Sequence, residues 1–303
     1  MKPNLTAIVP LLVSLLIPAN ATSAPAVKEV EVNGVLLPYE EEGSGDAILF
    51  IHGGLSGPAV WGPVKAATGK KYRSISYTQR YYGSASWPDD GKNFNLATHA
   101  EDLAKLIQSL NAGPAHLVGW SYGGAVATIA ALKNPSLVRS LIVYEPVLGS
   151  VLSADSVEGK TAREDRAKIF GPATAAAKAG QAEQSARLLY EAIYQLAPGS
   201  FEDLPQSTKA GVLENARTRP LAVAAPPPNV TCDDLKAFNR PTLVVWGEKT
   251  QPSFALTSEA VVNCLPGAQR VIMQNVNHNG PVRDPDAFSA TVLEFLAKQR
   301  QGF

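Results

Sequence analysis

Ser121 stands in Gly119-Trp120-Ser121-Tyr122-Gly123, with a glycine two residues to either side. A short, mainly apolar stretch (115–118) precedes it and an alanine-rich stretch (124–131) follows. Strand, sharp turn and helix in that order are the context a nucleophile elbow requires. The turn pushes the serine hydroxyl out above the strand ends, where flanking side chains would collide with the neighbouring strand and helix. The plain alternative is a strand-to-helix turn that happens to contain serine and glycine. A serine hydroxyl is a poor nucleophile until a base takes its proton, and histidine is the usual base. The chain has four: His52, His99, His116 and His278. His52 belongs to a His52-Gly53-Gly54 turn after an apolar run. His99 falls on the apolar face of a helical pattern and reads as a core histidine. His116 lies in the elbow strand itself, below the serine. His278 lies in a loop beyond the final strand pattern.

The elements that must position these residues are legible in order. Residues 28–32 alternate apolar and charged, Asn33-Gly34 makes a two-residue turn, and residues 35–40 return, which predicts a hairpin. Residues 47–51 form a continuous apolar run, expected of a strand buried on both faces. A further strand is expected over 72–77. Leu96, His99, Leu103, Leu106, Ile107 and Leu110 recur at helical spacing, with Asn95 as N-cap. The elbow follows, then a buried strand over 140–144 ending at Glu145-Pro146. From about 148 to 229 the sequence shows helical segments and no convincing strand, the clearest helix being 182–196. Pro226-Pro227-Pro228 closes that region as a stiff linker. Strand patterns resume at 241–247 and 269–273, with helices over about 253–264 and from Pro285 onward. Strands alternating with helices imply a mostly parallel sheet, flanked by helices, that binds ligands at the strand C-termini.

The 303 residues suit one large domain or a core with an insertion. Hydrophobic residues make up 45%, and Lys+Arg and Asp+Glu balance at 27 each, so no basic surface points to nucleic acid. Residues 1–21 read as a secretory signal peptide: Lys2, an apolar run over 5–17 too short to span a bilayer, and Ala19-Asn20-Ala21 as the cleavage site. The mature chain is expected to be exported, periplasmic or secreted, with no membrane span. In that setting the two cysteines, Cys232 and Cys264, are expected to form one disulfide, with two buried thiols as the alternative. Neither has the Cys or His neighbours of a metal site.

Taken together, His52-Gly53-Gly54, Gln79-Arg80-Tyr81-Tyr82-Gly83-Ser84, the elbow, the 241–247 strand and Asn277-His278-Asn279-Gly280 resemble the α/β-hydrolase family in chain order. The resemblance covers the mature chain outside 148–230. The second motif departs from the usual form, since Tyr81 stands where a glycine normally follows the arginine. The resemblance implies a hydrolase core over 22–147 and 231–303, with a helical cap over 148–230 inserted after the strand that ends at Glu145. It makes His278 the base. The acid of the family most often follows the next-to-last strand in a Gly-x-x-Asp arrangement, but this chain has Gly247-Glu248-Lys249-Thr250 there. A minority of the family carries the acid one strand earlier, at the position of Glu145. An unpaired buried carboxylate is costly, so Glu145 at the end of an apolar strand needs a partner, and His278 could be it. Glu248 is the alternative acid, and a structural carboxylate at a strand end is the alternative role for Glu145. The oxyanion hole is expected from the N–H of Tyr122 and that of Gly54 or Leu55. Trp61, Tyr81, Tyr82 and Trp87 are candidates for the substrate pocket, or else pack loops onto the core. Arg80 reads as structural.

The expected activity is hydrolysis of a carboxylic ester or lactone through an acyl-enzyme, with no metal or organic cofactor. Aminopeptidase, carbon–carbon hydrolase and perhydrolase reactions could use the same three residues. A hydrolase-fold protein that only binds small molecules is the reading favoured by Thr250.

Overall fold

The structure, a computed structural model, describes residues 26–300. The proposed signal peptide and its cleavage site at Ala21 lie outside the described residues. Eight strands form one sheet in the order β1 (Lys28–Val32), β2 (Val35–Glu42), β4 (Arg73–Tyr77), β3 (Ala47–Ile51), β5 (Ala115–Trp120), β6 (Val138–Tyr144), β7 (Thr242–Gly247), β8 (Gln269–Met273). β1 and β2 pair antiparallel through the Asn33-Gly34 turn, where both residues have positive φ (47° and 76°), the geometry a tight hairpin demands. β2 meets β4 antiparallel, and every pairing from β4 to β8 is parallel.

The continuous apolar runs of the sequence are explained by burial on both faces. Every residue of β3, β5 and β7 is buried. Alternate side chains feed two cores. Leu49, Ile51, Leu117, Leu141 and Val143 face α2 (Leu96–Ser109) and α3 (Tyr122–Lys133), while Ile48, Phe50, Val118, Ile142 and Tyr144 face α1 (Gly62–Thr68) and α11 (Pro285–Arg300). The predicted N-cap of α2 is present, with the Asn95 side chain accepting from the Thr98 N–H at 2.9 Å. Arg80 pairs through two nitrogens with Asp102 of α2, at 2.7 and 2.8 Å.

Between β6 and β7 the chain makes α4 (Val157–Lys178), α5 (Ala182–Ile193), α6 (Gln206–Glu214), α7 (Arg219–Ala224) and α8 (Cys232–Lys236), and no strand. Ile169 and Ala173 of α4, Ala186, Leu189 and Ile193 of α5, and Phe201 form a separate apolar cluster. That cluster also takes in Leu55, from the loop after β3, and Phe254 of α9 (Pro252–Cys264). The insertion is thereby seated on the end of the sheet where the parallel strands finish. A disulfide joins Cys232, the first residue of α8, to Cys264, the last of α9. Among the described residues no helix is long and apolar enough to cross a membrane.

Candidate active site

The loops that follow the strand C-termini are strained. Leu55, Tyr81, Ser121, Glu145 and Asn275 follow β3, β4, β5, β6 and β8, and all five have φ between 44° and 72°. Each such non-glycine residue costs on the order of 1–3 kcal/mol and persists only where its surroundings enforce it. At Ser121 the enforcement is visible. Its N–H donates to the Tyr144 carbonyl at 2.9 Å, and its carbonyl accepts from Gly124, Ala125 and Val147. A Cβ on Gly119 would stand 2.5 Å from the Gly123 carbonyl oxygen, and one on Gly123 would stand 2.3 Å from that of Ile51. The glycines around the serine are therefore steric necessities, as the elbow pattern requires.

The parallel pairing of β6 with β7 sets Tyr144 opposite Val245 and carries Glu145 to the end of β7. The Glu145 N–H donates to the Val245 carbonyl, and the side chain turns inward, fully buried. Its carboxylate accepts three hydrogen bonds: Oε1 from the Gly247 N–H at 2.8 Å, and Oε2 from the Thr250 hydroxyl at 2.9 Å and from His278 Nδ1 at 2.6 Å. A buried carboxylate so satisfied meets the requirement that buried charges be paired. A carboxylate can only accept here, so the bond places a proton on His278 Nδ1; in the neutral ring that leaves the lone pair on Nε2.

The His278 ring is held on its other sides by aromatic groups. Phe254 stacks on it at 4.1 Å between centroids and 18° between planes, and Trp120 and Tyr194 lie at 5.9 and 6.1 Å. Trp120 Nε1 donates to the His278 carbonyl at 3.0 Å, and the Tyr144 hydroxyl donates to that of Asn277 at 2.5 Å. Ser121 and His278 line one cavity of about 370 Å³, together with Gly54, Leu55, Tyr122 and Tyr82. A second cavity of about 510 Å³ shares Gly54, Leu55 and Ile193 with the first.

The other histidines are structural. His52 is fully buried, its Nδ1 donating to the Gly53 carbonyl and its Nε2 accepting from the Gln79 N–H, and burial lowers its pKa to about 4. His99 pairs with the Tyr122 hydroxyl at 2.7 Å; burial, with Arg80 and His52 nearby, lowers its pKa to about 3. His116 lies against Ser140 and Tyr72, lower on the sheet.

Several expectations need correction. Glu248, the alternative acid, is exposed, and its carboxylate accepts from the Asn275 N–H, away from His278. Trp61 does not line the cavity. It is fully buried against Phe50, Trp120 and Phe288 on the α1/α11 face, because the short turn Pro58–Trp61 points it into that core. Tyr81 and Trp87 also stay outside: Trp87 Nε1 donates to the Tyr81 carbonyl, the Tyr81 hydroxyl bonds Asp89, and both rings face a separate cleft. Of the four aromatic candidates, Tyr82 alone lines the cavity. Sequence reasoning missed Thr250, which it read as an empty acid position, and Phe254, Arg166 and Arg219, which line the cavity. A hydroxyl in the position where an acid is expected was the signal available for Thr250. Among the described residues no group of three or more His, Cys, Asp and Glu could hold a metal.

A family model described as the alpha/beta hydrolase fold matches residues 46–285. Among curated proteins the chain is similar to 2-(acetamidomethylene)succinate hydrolase of Mesorhizobium japonicum, at 26% identity covering 89% of this chain and 94% of that one. It is also similar to the serine hydrolase BPHL of Mus musculus, at 27% identity covering 88% of this chain and 85% of that one. The enol-lactonase from Burkholderia xenovorans has the same fold, with a TM-score of 0.70 and 18% identity over 89% of this chain and all of that one. With a matching family model over most of its length, a mostly parallel eight-stranded sheet and relatives that are hydrolases, the chain belongs to the α/β-hydrolase fold family and is a hydrolase.

Proposed function

We propose that this hydrolase cleaves a carboxylic ester or lactone through an acyl-enzyme on Ser121. The observation that carries the reading is the His278–Glu145 hydrogen bond, made behind a histidine that shares a cavity with a serine on a strained elbow. His278 Nε2, left with its lone pair by the bond at Nδ1, takes the Ser121 proton as the hydroxyl attacks the carbonyl. Glu145 keeps the ring in that tautomer and stabilises the imidazolium that forms. The oxyanion rests on the Tyr122 N–H and on that of Gly54 or Leu55; losing one such donor typically costs about 10²–10³ in rate. His278 then returns the proton to the leaving alcohol, and water repeats the sequence on the acyl-enzyme. The insertion over 148–230 acts as the cap, its α4, α5 and α7 supplying part of the cavity wall.

The reading as a protein that only binds small molecules rested on Thr250. With Glu145 bonded to His278, and Thr250 bonded to Glu145, that residue supports the acid instead of replacing it. Export is part of the proposal. It rests on residues 1–21, and a disulfide of the kind kept in oxidising compartments is consistent with it. A panel of p-nitrophenyl esters and lactones of varied acyl length tests the reaction class. Turnover by the wild-type protein that disappears in Ser121→Ala is expected; turnover that survives the substitution overturns it.

A further inference from the structure

Among the described residues, three buried or half-buried arginines make no ion pair: Arg217, which donates to the Gly83 and Ala85 carbonyls away from the site, and Arg166 and Arg219, which share one cavity. Lys65, fully buried, is bonded to Glu40 at 2.6 Å, and Arg80 to Asp102. Arg219 is 8% exposed, yet among the described residues it meets no carboxylate. Its Nε donates to the Ser185 hydroxyl at 3.2 Å, and Ser185 in turn donates to the Ala173 carbonyl. That contact aims the guanidinium while leaving both terminal nitrogens without a hydrogen-bond partner among the described residues. Arg166, half-buried, has its guanidinium 5.0 Å from the centre of the Phe170 ring and likewise makes no ion pair. The adjacent carboxylate, Asp165, is taken up by the Ser253 N–H at 2.8 Å. Both arginines line the cavity that holds Ser121 and His278, and no aspartate or glutamate lines it.

We propose that Arg219 and Arg166 receive a carboxylate carried by the substrate, so that the natural substrate is an ester or lactone bearing a free acid group. The inference rests on the acyl-enzyme reading above and narrows its substrate class. A desolvated guanidinium without a counter-ion is unfavourable, and it cannot escape by losing its proton. Burial lowers the pKa of both side chains, which states the same tension. A planar fork with free N–H donors is the group that grips a carboxylate through two bonds. Neutral groups of the same shape would leave these donors unpaired, so the cavity discriminates against them.

The test compares matched pairs. Mono-p-nitrophenyl adipate is set against p-nitrophenyl hexanoate, which places the acid in the acyl part. 4-Acetoxybenzoate is set against its methyl ester, which places the acid in the leaving group. In at least one pair the acid form is expected to have a kcat/KM higher by a factor of about ten or more, the span of one hydrogen bond between charged groups. Arg219→Gln and Arg166→Gln are expected to shrink that ratio, and Arg219→Lys to restore part of it. Neutral esters preferred in both pairs, or a preference untouched by both glutamine variants, overturns the proposal. Calorimetric binding of adipate against hexane-1,6-diol to the Ser121→Ala protein reads the arginines without any turnover. Tighter adipate binding, lost in a Ser121→Ala/Arg166→Gln double variant, supports the proposal even if Arg219→Gln fails to fold; equal binding of diacid and diol contradicts it. Failure of the acyl-enzyme reading alone would show as adipate binding without ester turnover.

Discussion

Glu145→Gln is the substitution whose consequence the geometry determines most fully. The carboxylate uses Oε1 for the Gly247 N–H and Oε2 for both Thr250 and His278. An amide has one oxygen to offer. The Gly247 N–H is fixed at the end of β7 and cannot turn away, so the amide oxygen must face it and the amide NH₂ must face His278. The Thr250 hydroxyl can rotate to accept from that NH₂, but the imidazole can meet it only with a bare Nδ1. The proton then moves to Nε2, and in the proposed mechanism the ring can no longer act as a base toward Ser121. Replacing the acid behind a catalytic histidine in this way lowers kcat by about 10⁴, or roughly 5 kcal/mol of transition-state stabilisation. The assay is steady-state hydrolysis of a p-nitrophenyl ester by wild type, Glu145→Gln and Glu248→Gln, with circular dichroism as a check on folding. Glu248→Gln should keep nearly full activity, because its carboxylate meets only a loop amide. Thr250→Val, which leaves Glu145 two of its three donors, should lower kcat by roughly tenfold, the worth of one hydrogen bond to a charged group. A folded Glu145→Gln protein that keeps more than a tenth of wild-type kcat would refute the reasoning and return the acid to another residue.

Acid stability and redox state give two further predictions. His52 and His99 are held neutral by burial, with folded pKa values of about 4 and about 3 against an ordinary 6.5. Between pH 6.5 and those values the unfolded chain binds more protons than the folded one, so their contribution is complete above pH 6.5 and is lost on acidification. Melting temperature should therefore fall steadily from pH 6.5 toward pH 4, and His99→Gln should flatten that slope; a melting temperature independent of pH over this window would contradict the assignment. The Cys232–Cys264 bond spans 32 residues of sequence, for which loop-closure entropy gives about 3–4 kcal/mol. Reduction should lower the denaturant midpoint accordingly, whereas two free thiols in protein taken from its native compartment would show that the bond does not form there.

The sheet was readable because its parallel strands are buried on both faces and so carry unbroken apolar runs at 47–51, 140–144 and 241–247. The elbow was readable because its glycines answer to local sterics. The partnership of Glu145 and His278 was nominated by an apolar strand ending in a carboxylate and by resemblance, and the structure brings the two side chains together. The role of Thr250 was not readable, since it depends on β6 and β7 lying side by side, a relation no local pattern encodes. Arg166 and Arg219 were hidden for a similar reason: the insertion helices have no register with the sheet, so nothing in their spacing says which face meets the serine. The longest of them, α4, also carries Gly171-Pro172 in its interior, a pair that reads as a helix breaker. Trp61 misled in the opposite direction, because an aromatic residue in a loop after a strand can turn toward the site or into the core, and here it turns into the core.

The central claim is that Ser121 is a nucleophile activated by His278. Labelling the purified protein with a fluorophosphonate and mapping the adduct by peptide mass spectrometry addresses it directly. The account predicts one adduct, on the peptide containing Ser121, that is lost in Ser121→Ala and forms far more slowly in a folded His278→Ala protein. An unlabelled Ser121 in protein that still turns over esters, or labelling that His278→Ala leaves unchanged, would contradict it.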